Sequence, residues 1–147
     1  VRAFWQAGLS LQRFTQVPTP TLQGLRLHPR ILEVAERRFS SGHFDDAVMY
    51  CFIAVNEAVR EKSGSKHDDG VSLMQNAFSP KKPLLRLSDR EDEQKAFMDL
   101  FSSAWAAFRS PRAHSTVTRV ISPEDALELI AFASALMKLV DTAKRDN

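Results

Sequence analysis

Phe97-Met98-Asp99-Leu100-Phe101-Ser102-Ser103-Ala104-Trp105-Ala106-Ala107-Phe108-Arg109 is the stretch on which the fold turns. Phe97, Leu100, Phe101, Ala104, Trp105 and Phe108 follow one another at alternating intervals of three and one, so that residues three and four apart line one side of an α-helix. A stripe of that size needs a core to cover it. The helix is predicted to start near Ser88 or Asp89, where Asp89, Glu91, Asp92 and Glu93 suit the positive end of its dipole. Pro111 is predicted to end or kink it.

Downstream, Ser122-Pro123-Glu124-Asp125 combines a serine cap, proline at the first helical position and acids behind it, the signature of a helix start. That helix is predicted to run to about Lys144, with cations in its last turn. It carries two adjacent apolar stripes: Ala126, Ile130, Ala133, Met137 and Val140 on one, and Leu129, Phe132, Leu136 and Leu139 on the other. Upstream, a helix entered at His28-Pro29 carries Ile31, Val34 and Ala35 and ends at Ser40-Ser41-Gly42. The next runs from about Phe44 to Glu61, with Phe44, Ala47, Val48, Cys51, Val55, Ala58 and Val59 on one stripe and Met49 and Ile53 on the other side. Ser63 to Gly70 reads as a polar loop and Val71 to Phe78 as one or two helical turns. Pro80 and Pro83 impose an irregular stretch through Leu87. There is no strand-like alternation of useful length. The fold class is all-α, an antiparallel four-helix bundle with an extra short helix before the third long one. The doubled apolar faces exceed what one core needs, so Met49, Ile53, Phe132, Leu136 and Leu139 are expected between two copies of the chain. Residues 1–24, with Pro18-Thr19-Pro20, read as an extended arm or linker, and 25–147 as the helical domain.

The 147 residues are 44% hydrophobic and 26% charged, which describes one soluble globular domain. Seven prolines and five glycines exclude collagen-like and low-complexity chains. A net charge of +2 makes the whole molecule no attractor of polyanions, so any anion site has to be local. The one cysteine, Cys51, can form no internal disulfide and falls on an apolar stripe. It reads as a core residue in a reducing, cytoplasmic setting. No apolar run has the ~20 residues of a membrane span, so no membrane partner is expected. No signal peptide is expected either. A chain that begins at Val1 reads either as a trimmed chain or as a fragment of something longer.

Paired cysteines, HExxH, Gly-rich phosphate loops and GxSxG are all missing, so neither a metal nor a cofactor is expected. Chemistry then falls to the histidines. His67 adjoins Asp68 and Asp69, but adjacent residues on a loop rarely converge on one ion. His28 and His43 each precede a helix and read as local hydrogen-bonding groups at helix entries. His114 stands apart, because it closes Arg109-Ser110-Pro111-Arg112-Ala113-His114. From Arg109 to Pro123 the chain carries Arg109, Arg112 and Arg119 and no acid, a local cationic stretch that brings an imidazole with it. On the helical wheel Arg109 falls beside Trp105 and Met98, at the border of the core stripe. The plainer reading of Arg109 is a last-turn arginine that complements its helix dipole.

Arg109-Ser110-Pro111-Arg112-Ala113-His114 resembles the R-x4–6-H motif of the HEPN superfamily, at the place where that motif sits, the end of the third bundle helix. More specifically, the chain resembles the bacterial Ymh-type family of hypothetical HEPN proteins. The resemblance is carried by Leu27-His28-Pro29-Arg30-Ile31, by Gly42-His43-Phe44-Asp45-Asp46-Ala47-Val48 and by Asp69-Gly70-Val71-Ser72-Leu73-Met74. Ala77-Phe78-Ser79 and the Arg109–His114 motif complete it, over about Leu25 to Ala143. The family often has asparagine after the motif arginine; this chain has Ser110, smaller and still polar.

The resemblance implies a HEPN-like bundle and a metal-independent ribonuclease, usually a homodimer with two motifs facing each other. Many relatives serve as toxins or in abortive-infection defence against phage. On that reading Arg109 and His114 are catalytic, with Ser110, Glu57 and Asn56 supporting the arginine. Arg112, Arg119 and Trp105 are expected to meet RNA. The plainer reading of Glu57 is a solvated acid paired with Arg60 or with Glu61's neighbours, and that of Trp105 is packing. The motif's chemistry suits the task. An imidazole titrating near neutrality serves as base or acid, and a guanidinium holds phosphate oxygens in pairs without losing its charge. The expected partners are RNA, a second copy, and an antitoxin or an upstream fused or associated defence protein. The alternative is a module of the same fold that binds RNA or a nucleotide, or dimerises, without turnover.

Overall fold

The structure, a computed structural model, describes residues 21–109 and 121–146. It is mostly helical. A 3-10 turn, Leu22–Gly24, leads into α1 (Pro29–Ser40), α2 (Phe44–Ser63) and the short α3 (Gly70–Ala77). A two-residue strand β1 (Leu85–Arg86) precedes α4 (Glu91–Ala104), which continues into a π-helical turn, Trp105–Arg109. The chain is described again from Ile121 and forms α5 (Pro123–Thr142) and a second two-residue strand, β2 (Lys144–Arg145). β1 and β2 pair antiparallel, Leu85 with Arg145 and Arg86 with Lys144. Among the described residues no helix is long and apolar enough to cross a membrane.

α2 is the central element. It packs on α1, α3, α5 and the π turn, and that explains why it is apolar on more than one side. Its stripe residues Ala47, Val48, Cys51, Val55, Ala58 and Val59 are buried, and so are Phe52 and Ala54 beside them. Phe52 stacks on Phe108 at 5.2 Å between ring centroids, and Phe132 of α5 completes the cluster. Phe78, at the end of α3, stacks on Phe101 at 4.4 Å. Leu22 is buried in the same core, so the chain engages the domain ahead of Leu25.

The helix starts follow local rules. The Ser122 hydroxyl accepts from the Asp125 amide at 3.0 Å, with Pro123 in the first turn of α5. His28 Nδ1 accepts from the Arg30 amide at 3.1 Å at the start of α1. Gly42 and Gly64, both at positive φ, follow α1 and α2.

The departures from the sequence reading have non-local causes. α4 begins at Glu91 rather than at Ser88 or Asp89. The amides of Leu87 and Ser88 donate instead to the side-chain oxygen of Gln94, at 2.9 and 3.1 Å. Gln94 Nε2 donates in turn to Phe78 O and Leu85 O, and this fully buried residue holds the irregular stretch against α4. Leu100, expected in the core, is exposed, and Phe97 is half-buried. α5 ends at Thr142, with no cation in its last turn. Lys62 of α2 supplies one, donating to Val140 O and Asp141 O at 2.7 and 2.8 Å. Lys144 and Arg145 are left to pair with β1. Leu136, expected between two copies, lies inside the single chain, because α5 packs that side on α2. Met49, Ile53, Leu129, Phe132 and Leu139 are half-buried.

Candidate functional site

The aromatic stripe of α4 ends in a π turn, a rare geometry that recurs at functional sites. The turn stacks the Arg109 guanidinium over the Trp105 ring, 4.8 Å from its centroid. Arg109 Nε is buried and finds no hydrogen-bond partner among the described residues. Leaving a buried N–H unpaired costs about 1–3 kcal/mol, more for a charged group. One turn before Trp105, the Ser102 hydroxyl is buried and equally unpartnered.

Trp105 is held from below by the start of α3. Gly70 sits at φ +57°, and a Cβ built there would stand 2.5 Å from the indole Nε1. Only glycine allows this contact. The Gly70 amide donates to Asn56 Oδ1 at 3.0 Å and to Asp69 Oδ1 at 2.9 Å. Asn56 Nδ2 donates to Asp69 Oδ1 at 2.8 Å, and Arg60 Nη2 does so at 2.6 Å. Asn56 is 3% exposed, on the face of α2 that meets this loop. The chain of contacts therefore runs Asn56, Gly70, Trp105, Arg109.

Asn56 thus joins the arginine platform through two intermediaries, and Glu57, one position on, does not. Glu57 pairs with Arg30 of α1 at 3.3 Å, and Arg30 holds Glu61 more closely at 2.9 Å. Glu57 is exposed and shares Arg30 with Glu61, which agrees with its plainer reading as a solvated, paired acid. Trp105 is 8% exposed, with a face under Arg109 and an edge on Gly70, which is a packing position. Ser110, Arg112, His114 and Arg119 lie outside the described residues. Asp69 and Gly70 enter the sequence reading only through the family resemblance, and neither they nor Arg60 were expected at the site.

The remaining candidates resolve individually. His28 makes its helix-entry hydrogen bond and also contacts Asp141 Oδ2 through Nε2 at 2.8 Å. Because Nδ1 accepts from a backbone amide, Nε2 is the nitrogen that carries the proton. His43 makes no side-chain cap, so its expected role at the entry to α2 is not fulfilled. A hollow of about 360 Å³ is lined by His28, Arg30, Glu61, Lys62 and Asp141, whose charges already meet one another or helix carbonyls. Asn76, Ser65 and Ser72 donate to the Asp68 carboxyl and hold it below the usual carboxylate range. Among the described residues no group of three or more His, Cys, Asp or Glu could hold a metal ion. Cys51 is fully buried, and burial pushes its thiol up to about 12. That keeps it protonated and non-nucleophilic.

Taken together, fold and site define a helical domain whose aromatic helix ends by presenting a tryptophan-mounted arginine at the border of the core. The chain belongs to the family described as "Protein of unknown function (Hypoth_ymh)", whose model matches residues 25–140. No curated protein and no solved structure matches it.

Proposed function

We propose that the protein is a metal-independent endoribonuclease of the HEPN type, acting as a homodimer in which Arg109 and His114 carry the chemistry. The reading extends to a HEPN-like four-helix arrangement, a cytoplasmic setting and a role as a toxin or phage-defence effector. The observation that supports it most is the state of Arg109. Its guanidinium is mounted on an aromatic face, one of its N–H groups is buried and unpartnered among the described residues, and it opens the acid-free stretch that ends in His114 and Arg119. A group so placed has donors to spend on a phosphate. In the proposed reaction the RNA 2′-OH attacks the adjacent phosphorus. An imidazole takes the 2′ proton, a second protonates the leaving 5′-oxygen, and Arg109 stabilises the charge that grows on the non-bridging oxygens. The products are a 2′,3′-cyclic phosphate and a free 5′-OH, and DNA, without a 2′-OH, is not cut.

The test is incubation of mixed RNA with purified protein in EDTA. Wild-type protein is expected to cut. His114→Ala and Arg109→Ala each lose a factor of about 10² or more while remaining folded. Arg112→Ala weakens binding and reduces its salt dependence, with chemistry retained. Intact RNA after long incubation with folded wild-type protein would replace the nuclease by a binding module of the same fold.

A further inference from the structure

Folding gathers a second group of cations that no single stretch of sequence displays. Segments 62–66, 81–86 and 144–145 hold seven of the chain's 20 lysines and arginines and no aspartate or glutamate. The β ladder sets Lys144 opposite Arg86 and Arg145 opposite Leu85. The Arg145 guanidinium lies on Gly64, its Nη2 2.7 Å from where a Cβ would stand. Lys62 reaches the end of α5, just before β2. The Asp146 amide donates to Leu84 O, two residues beyond Lys82. The three segments thus meet around β1 and β2.

Two of these cations have duties inside the fold. Lys62 caps α5, and Arg86 is held by Asp146 at 2.6 Å. Lys66, Lys81, Lys82, Lys144 and Arg145 are exposed and make no ion pair among the described residues. Like charges gathered this way repel one another, and the repulsion is relieved when a polyanion covers them.

The loop between α2 and α3 links this surface to Arg109. Gly64 lies against Arg145 at one end of it, and Gly70 lies against Trp105 at the other. Six residues span at most about 20 Å. The two acids of the loop are engaged: Asp69 pairs with Arg60, and Asp68 faces Asn76, Ser65 and Ser72.

We propose that the surface formed by segments 62–66, 81–86 and 144–145 binds the phosphate backbone of single-stranded RNA and leads the strand toward Arg109. The inference rests on the RNA reading above. A strand that must bring its 2′-OH in line with a neighbouring phosphate has to be flexible. Cations on long, mobile stems follow such a backbone without reading its bases.

The test is fluorescence anisotropy with a labelled oligouridylate of about 16 nucleotides, in EDTA. Full-length His114→Ala protein serves as the background, so that the probe stays intact. Adding Lys81→Ala, Lys82→Ala and Lys144→Ala together is expected to weaken binding about tenfold or more at ~0.1 M salt. It also makes the slope of log affinity against log salt shallower by about 2, three contacts at about 0.7 each. Lys95→Ala, on a residue paired with Asp99 on α4, changes neither. Circular dichroism confirms that the triple variant is folded. Unchanged affinity and slope in the folded triple variant overturns the proposal, as does polyglutamate that displaces the probe as well as unlabelled RNA does. Binding with the expected triple-variant loss, in a protein that never cuts RNA, removes the nuclease and keeps the surface. Cleavage by wild type, with undiminished binding by the triple variant, removes the surface and keeps the nuclease.

Discussion

Alanine at position 70 would meet two obstacles at once. A φ of +57° costs a non-glycine residue about 1 kcal/mol, and the new methyl would lie 2.5 Å from the Trp105 indole nitrogen. The indole would have to shift, and Arg109, stacked upon it, would shift with it. Gly70→Ala is expected to lose about 2 kcal/mol or more in urea unfolding and to change tryptophan emission. Gly24→Ala, with nothing within 4 Å of the new atom, should do neither. Cys51 gives a second test at this scale. Burial raises its thiol from 9.0 to about 12, so the folded chain keeps a proton that the unfolded chain releases. The resulting stabilisation is complete below about pH 9 and is lost as pH climbs from there toward 12. Iodoacetamide should label Cys51 only on unfolding, and Cys51→Ala should flatten part of the alkaline decline in thermal melts. Labelling of the native protein at the rate of a free thiol would refute the burial. Arg109 was legible in the sequence because its place at the border of the stripe is a matter of local spacing. Its mounting was not, because Gly70, held by Asn56, meets Trp105 from another element. The partner of Glu57 was not legible either, because the helical wheel of α2 does not reveal that Arg30 of α1 lies opposite.

At the scale of elements, Gln94 does more than its sequence signal suggests. It is polar and stands in the first turn of an acid-rich helix, yet its amide group serves four backbone partners between Phe78 and Ser88. Gln94→Ala would leave buried amides and carbonyls unpaired and open a cavity. A loss of about 3 kcal/mol or more is expected in chemical denaturation. A loss under about 1 kcal/mol would mean that water replaces the side chain. Glu91→Ala, at an exposed position three residues earlier, should stay within about 0.5 kcal/mol. The same residue explains which boundaries could be read in advance. Starts at Pro29, Phe44 and Pro123 are encoded by neighbours in sequence, through caps, proline and acids. The start of α4 is decided by Gln94, whose side chain turns back onto the segment before the helix, and the end of α5 by Lys62, which acts from another helix. The two short strands exist only because the end of α5 meets the Leu85 stretch, and two-residue ladders leave no alternation to recognise. Leu100 failed as a core residue for a related reason. The buried side of the helix runs through Gln94, Phe101, Ala104 and Trp105, so most of the apolar stripe is covered and Leu100 falls at its outer edge.

For the molecule as a whole, the open matter is how much apolar surface remains once one chain has folded. Leu136 has moved into the single-chain core, which shrinks the surface first expected between copies. Met49, Ile53, Leu129, Phe132 and Leu139 remain half-covered, and Ile53 and Leu139 lie on two helices that pack against each other. The proposed chemistry makes a second copy necessary, since one His114 cannot at once take the 2′ proton and protonate the leaving oxygen. Assembly and activity should therefore fail together, and RNA binding should not fail with them. Light scattering is expected to give a dimer at tens of micromolar for wild-type protein. Ile53→Glu or Leu139→Glu is expected to give a monomer with near-native helix content, because each side chain is only half-buried and a carboxylate there can reach water. That monomer should lose cleavage by about 10² or more while the cationic surface around β1 and β2 still holds RNA, weakened only by the loss of the second copy's contacts. Wild-type protein that is monomeric at tens of micromolar and still cuts RNA would refute the composite site. A charged variant that stays dimeric and active would instead place the interface on another face of the domain.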